Sequence, residues 1–449
     1  MTQLDTVPGA DIKPWLRHPP KKHLFIHANI IDVSTGNILK DASLSTKNGK
    51  IETVYPSTPD QYPDGYNVVD CKGRYLCPGL FDAHVHLCAT PGFTDLSRVF
   101  GNPNDISLLR QPYVASQMLY RGFTSVRDCG GAQLPLKEAI EEGVFPGPRL
   151  FISGHALSQT GGHGDLRSSY EKHECCGGHA IGSLGRICNG VPECMAAVRD
   201  EIRCGADFIK IMGSGGVASP TDKLEQLQFT TSEIQAMVEC ANNAGTFVTA
   251  HAYTTKAIRH CIDNGVKGIE HGNFVDAPTA RLMAEKGVYL TPTLITYAQM
   301  ATDKWKNFLP PESQVKNAQV LKSGLEALRI ASEAGVTMCY GSDLLGPLGS
   351  AQTQEFSLRS QALKPLEILR SATVNPAKMM GCEATLGQLK EGFQADVLIM
   401  DKNPLENIEV FDHPEKYILA VMKDGLVYRS QLESLEVDGG IPIRFNSVL

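Results

Sequence analysis

A His-Val-His triplet closes the apolar run YLCPGLFDAHVH and places imidazoles at His84 and His86. On an extended strand alternate side chains point the same way, so both rings face one point. Four more residues stand within or at the ends of other apolar runs: Lys210 in DFIKIMG, His251 in VTAHAY, His271 in GIEHG and Asp343 in YGSD. Imidazoles ligate zinc-class metals, and carboxylates both bind such metals and move protons. Lys210 is the odd member, because an ammonium cannot ligate a cation and is costly to bury unpaired. Burial lowers a lysine pKa and frees a neutral amine. Such an amine can add carbon dioxide, and the two oxygens of the resulting carbamate can bridge two metals. Taken singly, a buried His or Asp is more often a satisfied core residue and a lone strand Lys a snorkelling one. Six together in strand-end register point to a metal centre.

The elements that position these residues follow a repeat. A polar, helix-like run ends in Gly, and an apolar run follows. This occurs at Gly122, Gly143, Gly205, Gly245, Gly265, Gly287 and Gly335. Gly suits the left-handed residue just past a helix end. Continuous apolar runs suit parallel strands buried on both faces. With the earlier run that holds His84, the count is eight, as in a (β/α)8 TIM barrel. The expected strand cores are 79–86, 123–128, 149–154, 207–212, 247–251, 267–271, 288–293 and 337–342.

The expected class is α/β, with the catalytic barrel over 76–383. Short alternating runs between turn residues flank it, which signals antiparallel β. Residues 23–75 and 384–449 are expected to combine into one small β-sandwich, with 1–22 as an N-terminal arm. A long connection at about 155–195 leaves the barrel face where active sites sit and reads as a lid.

Composition narrows the function class. Of 449 residues, 42% are hydrophobic and 20% charged, which fits an ordinary globular protein. The net charge of −7 gives no basic footprint for nucleic acid. No apolar run is long enough for a membrane span. The N-terminus carries no secretory pattern, so the 13 cysteines read as reduced thiols and the expected compartment is cytoplasmic.

The motifs PGLFDAHVHL, FIKIMGSGG, VTAHAY, GIEHG and YGSD, with GQLKEGFQADVLIMDKNPLE near the end, resemble the metal-dependent amidohydrolase superfamily. The resemblance covers about residues 23–430. LSQTGGHGD and KIMGSGGV are similar to the ochratoxinase and prolidase-like, imidazolonepropionase-related branch. It implies a distorted barrel with a β-sandwich and two divalent ions, Zn2+ first among them. His84 and His86 would hold the more buried ion, and His251 and His271 the more exposed one. Lys210, as its carbamate, would bridge both. Asp343 would bind the buried ion and carry a proton to the leaving group. One departure stands out, since Tyr253 occupies a position where the ochratoxinase-like pattern has a second His.

The implied reaction is hydrolysis of an amide in a small molecule, such as an N-acyl amino acid, a dipeptide or an ochratoxin-like amide, by a metal-bridging hydroxide. A mononuclear deaminase, which would not need Lys210, and a metal-dependent decarboxylase are the competing readings. A non-catalytic scaffold would be expected to have lost ligands. The partner is a small molecule, with no nucleic acid and no membrane, and related enzymes imply a homo-oligomer.

His163, in the GGHGD loop, is the candidate oxyanion or carbonyl donor; its competing role is a hydrogen bond to Asp165. Tyr253 could bind a substrate carbonyl or carboxylate, or pack against the next helix. Arg127 could pair with a substrate carboxylate, or with Asp128 or another strand-end acid. His173, Glu174, Cys175, Cys176 and His179, with Cys188 and Cys194, could form a second zinc site, although adjacent cysteines are not the usual spacing. GSGG at 213–216 lacks the Lys of a phosphate-binding loop.

Overall fold

The computed structural model describes residues 7–62, 64–101, 104–167, 170 and 184–443. Five strands come first: β1 (His23–Ile31), β2 (Ile38–Lys47), β3 (Lys50–Tyr55), β4 (Asn67–Asp70) and β5 (Tyr75–Pro78). β6 (Leu80–Val85), β7 (Phe123–Asp128), β8 (Arg149–Ile152), β9 (Ala156–Ser158) and β10 (Gly185–Ile187) follow. Then come β11 (Ile209–Met212), β12 (Val248–Thr254), β13 (Gly268–Phe274) and β14 (Tyr289–Thr291). The last strands are β15 (Val397–Met400), β16 (Ile418–Lys423) and β17 (Leu426–Ser430).

One sheet draws on both ends of the chain. Its order is β17-β16-β15-β5-β1-β2-β3, with β4 beside β1. Phe25, Leu44, Leu76, Val397, Ile399 and Met422 share its apolar core. Arg149, at the start of β8, bonds Asp396 at 2.9 Å and also Asp424, which ties this sheet to the parallel strands. On the N-terminal arm, Lys13 pairs with Glu142 at 2.7 Å and Lys21 with Glu436 at 2.8 Å.

The remaining strands are all parallel and form two sheets, β6-β7-β8 and β10-β9-β11-β12-β13-β14. β6, β7 and β11 are buried along their whole length, as continuous apolar runs require. The seven glycines that end the helical runs all take left-handed backbone, with φ from 62° to 97°.

Seven of the eight expected parallel strands form. The run 337–342 does not, keeping only a single bridge between Met338 and Leu290. Its N–H groups go to several partners in turn: Cys339 N to Leu290 O, Tyr340 N to Ser371 O, Ser342 N to the Asp82 carboxylate. No ladder can run through such a pattern. At Gly341 a Cβ would lie 2.6 Å from Thr291 Cγ2 and 2.9 Å from His84 Cβ, so the run can approach β6 closely only with glycine there. The parallel strands therefore fall into two sheets. Backbone hydrogen bonds link them, Ala83 N to Tyr340 O at one seam and Asp207 N to Ile152 O at the other, both 2.7 Å.

The connection after β8 is structured at both ends. β9 and β10 pair in parallel, and Gly190–Arg203 is helical. Residues 168, 169 and 171–183 of the expected lid, and with them the whole His173–His179 cluster, lie outside the described residues. Cys188 and Cys194 are buried, and every described cysteine is a free thiol. No helix among the described residues is long and apolar enough to cross a membrane.

Candidate metal centre

His84 ends β6 and His86 follows it, so the two rings project to the same side. Their Nε2 atoms stand 3.3 Å apart. His84 Nδ1 lies 2.7 Å from Glu270 Oε2, and His86 Nδ1 lies 2.9 Å from the Gly130 carbonyl. A carboxylate and a carbonyl only accept, so both Nδ1 atoms carry the proton. Both Nε2 atoms then present lone pairs to each other. Two acceptors this close call for a cation between them. Asp343 Oδ1 completes the set, 3.5 Å from His84 Nε2 and 3.3 Å from His86 Nε2. The three ligand atoms lie within 4.8 Å of one another, a donor set that fits a divalent metal.

His84, Cys129 and Glu270 also cluster within that distance. Burial pushes the Cys129 thiol far up, away from the thiolate a metal needs, and Glu270 is already engaged. That cluster is second-shell support by its bonding, since Glu270 orients His84.

The other three candidates border the same cavity, of about 60 Å³. β11 carries Lys210, β12 His251 and β13 His271. The His251 and His271 ring centroids are 4.6 Å apart, and those of His271 and His84 are 5.0 Å apart. His251 Nε2 donates to Gly215 O at 3.2 Å, which leaves its Nδ1 free to ligate. His271 Nδ1 faces Thr293 Oγ1 at 2.8 Å and the Tyr297 hydroxyl at 2.9 Å, which leaves its Nε2. Lys210 is 1% exposed, and no described residue hydrogen-bonds its Nζ.

The electrostatics suit ligation by neutral imidazoles. Burial, helped by the charge of Lys210, brings His84 down to about 4 and holds His251 and His271 well below their usual value. His86 is the exception: burial pulls it down, yet its bond to Asp343 leaves it raised. Burial would raise Asp343, but the charges of His84 and His86 hold it well below the usual carboxylate range. His271 and Asp343 also adopt left-handed backbone, at φ 71° and 49°, conformations a non-glycine residue keeps only where its surroundings impose them.

His163 faces the same cavity and stacks on His251 with centroids 4.2 Å apart. Its Nδ1 lies 2.8 Å from Ser219 Oγ. Asp165 is not its partner, because that carboxylate binds Arg167 and Gly161 N. Tyr253 lines the cavity, and its hydroxyl meets that of Tyr297 at 2.8 Å. Arg127 does not line it. Its Nη2 bonds Glu270 Oε1 at 2.6 Å and its Nε bonds Ala83 O, at zero exposure. This corrects the substrate-carboxylate expectation in favour of the strand-end acid, because the Glu270 pairing spends the guanidinium inside the protein.

Sequence reasoning missed Glu270, Asp82 and Tyr297. Asp82 accepts from His84 N at 3.2 Å, Ser342 N at 3.1 Å and Gln352 Nε2 at 2.9 Å, so it clamps β6 to the run that carries Asp343. Glu270 directly precedes His271 in GIEHG, on the opposite side of the strand, and was there to be read.

Residues 75–427 match the profile of the amidohydrolase family. The chain belongs to that family. This amidohydrolase is 34% identical to the ochratoxinase of Aspergillus niger over 365 residues, 79% of this chain and 75% of that protein. The solved A. niger ochratoxinase superposes with a TM-score of 0.81 at 30% identity, over 96% of this chain and all of that one. A prolidase solved with N-methylphosphonate-L-proline gives 0.88 at 40%, over 91% of this chain and all of its own. A further solved amidohydrolase gives 0.88 at 43%, over 92% of this chain and all of that one. The amidohydrolase thus falls in the metal-dependent, ochratoxinase and prolidase-like branch, and it is a hydrolase acting on C–N bonds.

Proposed function

We propose that this amidohydrolase cleaves the amide bond of a small molecule, such as an N-acyl amino acid, a dipeptide or an ochratoxin-like amide, at a binuclear metal centre. The observation that carries the reading is the pair of unprotonated Nε2 atoms of His84 and His86 facing each other beside Asp343, with Lys210 unpartnered in the same cavity. In this reading the two linked parallel sheets make the distorted (β/α)8 barrel, and the sheet from both chain ends is the accessory domain.

His84, His86 and Asp343 would hold one ion and His251 and His271 the other, most suitably Zn2+. Lys210 would join them as a carbamate, formed when its neutral amine adds carbon dioxide and releases a proton. When bound, such ions supply Lewis acidity and a water acidic enough to ionise near neutral pH. The side chains do the rest. Asp343 takes a proton from the attacking water and returns it to the nitrogen as the C–N bond breaks. Tyr253 and His163 border the cavity where the acyl group would lie and orient it. The apolar wall, including Phe100, Met212, Val217 and Met300, excludes water and suits a hydrophobic substrate. The same reading keeps the homo-oligomeric state and the cytoplasmic location as proposals.

The test is a hydrolysis screen of N-acyl amino acids and dipeptides with metal-loaded protein, paired with metal analysis. Amide cleavage with close to two equivalents of metal per chain supports the reading. Deamination with close to one equivalent overturns it.

A further inference from the structure

The loop after β11, GSGGVASPTD, is not a phosphate cradle, yet it packs directly on His163. A Cβ at Gly216 would fall 2.1 to 2.5 Å from three atoms of the His163 ring, so the ring sits flat on bare backbone. Lys316, from the helix Pro311–Glu333, reaches over and donates to the carbonyls of Gly216, Ser219 and Asp222 at 2.8, 2.9 and 3.0 Å. Its three protons are thereby matched to three acceptors, and the loop is stapled.

Within that loop the hydrogen bonds have one allowed direction. His163 Nδ1 lies 2.8 Å from Ser219 Oγ, and Ser219 Oγ bonds Asp222 Oδ1. The other Asp222 oxygen accepts from Gln228 Nε2 at 2.9 Å and Gly216 N at 3.3 Å. A carboxylate only accepts, so the single Ser219 proton goes to Asp222. Ser219 Oγ must then accept from His163, and the proton of the ring sits on Nδ1.

We propose that Ser219 and Asp222 are positioning residues that lock His163 into its Nδ1–H tautomer, so that Nε2 offers a lone pair to the substrate cavity. His163 then accepts a hydrogen bond from the substrate and does not donate one to an oxyanion. Its role toward substrate rests on the amide-hydrolase reading; the tautomer does not. Burial, the largest influence on the ring, brings His163 down to about 4, in keeping with a neutral ring.

The experiment is long-range 1H–15N correlation on zinc-loaded, 15N-histidine protein, with the His163 signals assigned by their loss in His163→Gln. The expected pattern is the neutral Nδ1–H tautomer. Asp222→Asn provides the second arm. Its amide oxygen must face the two donors, Gln228 and Gly216 N, so its NH2 group faces Ser219. The chain then reverses, and His163 should switch to Nε2–H. With metal content retained, kcat on any amide the wild type cleaves should fall by about 10²–10⁴, the usual reach of proton-positioning catalysis. Should Asp222→Asn fail to fold, Ser219→Ala should release the tautomer and Ser219→Thr should restore it. A wild-type imidazolium or Nε2–H tautomer overturns the proposal, as does an unchanged tautomer in both Asp222→Asn and Ser219→Ala. If the wild type cleaves no amide, the functional reading fails while the tautomer result still stands or falls by itself.

Discussion

Glu270 holds His84 from behind: its Oε2 stands 2.7 Å from His84 Nδ1, and its Oε1 takes Arg127 at 2.6 Å. Thr249 Oγ1 donates to that second oxygen as well. One fully buried carboxylate thus fixes the tautomer of a metal-facing imidazole and neutralises a buried guanidinium.

Glu270→Gln should therefore show two losses. A carboxamide has one acceptor oxygen for three donors, so either His84 or Arg127 loses its partner. Metal affinity should drop about 10- to 100-fold, as for other outer-shell partners of metal ligands. Leaving a buried charge unpaired costs about 3–5 kcal/mol, so thermal stability should fall too. Chelator competition and thermal unfolding measure the two effects, and unchanged metal affinity would remove Glu270 from the support of His84.

Lys210→Ala should abolish hydrolysis and release metal. Short carboxylates such as acetate or propionate should restore part of the activity by standing in for the carbamate. Full activity with two metals bound in Lys210→Ala would end the carbamate assignment.

Asp343→Asn keeps the shape of the side chain and one ligating oxygen but cannot carry a proton. The expectation is a kcat lower by about 10²–10⁴ with KM little changed. Turnover close to wild type would move the proton transfer to another group, and His163 would be the first to test.

Away from the centre, His23 links stability to pH. Burial, with the nearby charge of Lys21, lowers its pKa to about 4, below the model-peptide value of 6.5. Its Nδ1 lies 3.2 Å from Asn67 Nδ2. The unfolded chain thus binds this proton more readily than the folded one. The stability is complete above pH 6.5 and is lost as pH falls toward 4, by about 1.4 kcal/mol per pH unit. His23→Phe, which keeps a ring beside Phe25, should flatten that part of the profile in urea unfolding between pH 4 and 7. Parallel profiles for the two proteins would exclude His23 as the source.

The six proposed ligands were legible because each is a polar residue at or near the end of an apolar run, and backbone register alone brings them to one mouth. The helix ends were legible for a similar reason: Gly122 and Gly335, like the glycines between them, punctuate the chain where left-handed backbone is required. Partnerships between distant elements left no local mark. Nothing in SVRD says that Arg127 pairs with Glu270, 143 residues on, in preference to Asp128 beside it. Nothing in GGHGD says that the partner of His163 is Ser219. The run 337–342 has a strand's composition, but Asp82 and Ser371 take N–H donors from it that a ladder would use, and composition does not record that competition.

β5 pairs with β15, so Cys77 lies opposite Leu398, about 320 residues later in the chain. β5 also runs through Gly79 directly into β6, the strand that ends in His84. During synthesis the segment leading into the first ligand therefore waits, one edge open, until almost the entire polypeptide has left the ribosome. Contacts of such long sequence separation are slow to form and expose unpaired edges meanwhile. The parallel strands can assemble in order as they emerge, but the anchor of the strand bearing His84 is set last, so ribosome-bound chains cut before Val397 would lack it.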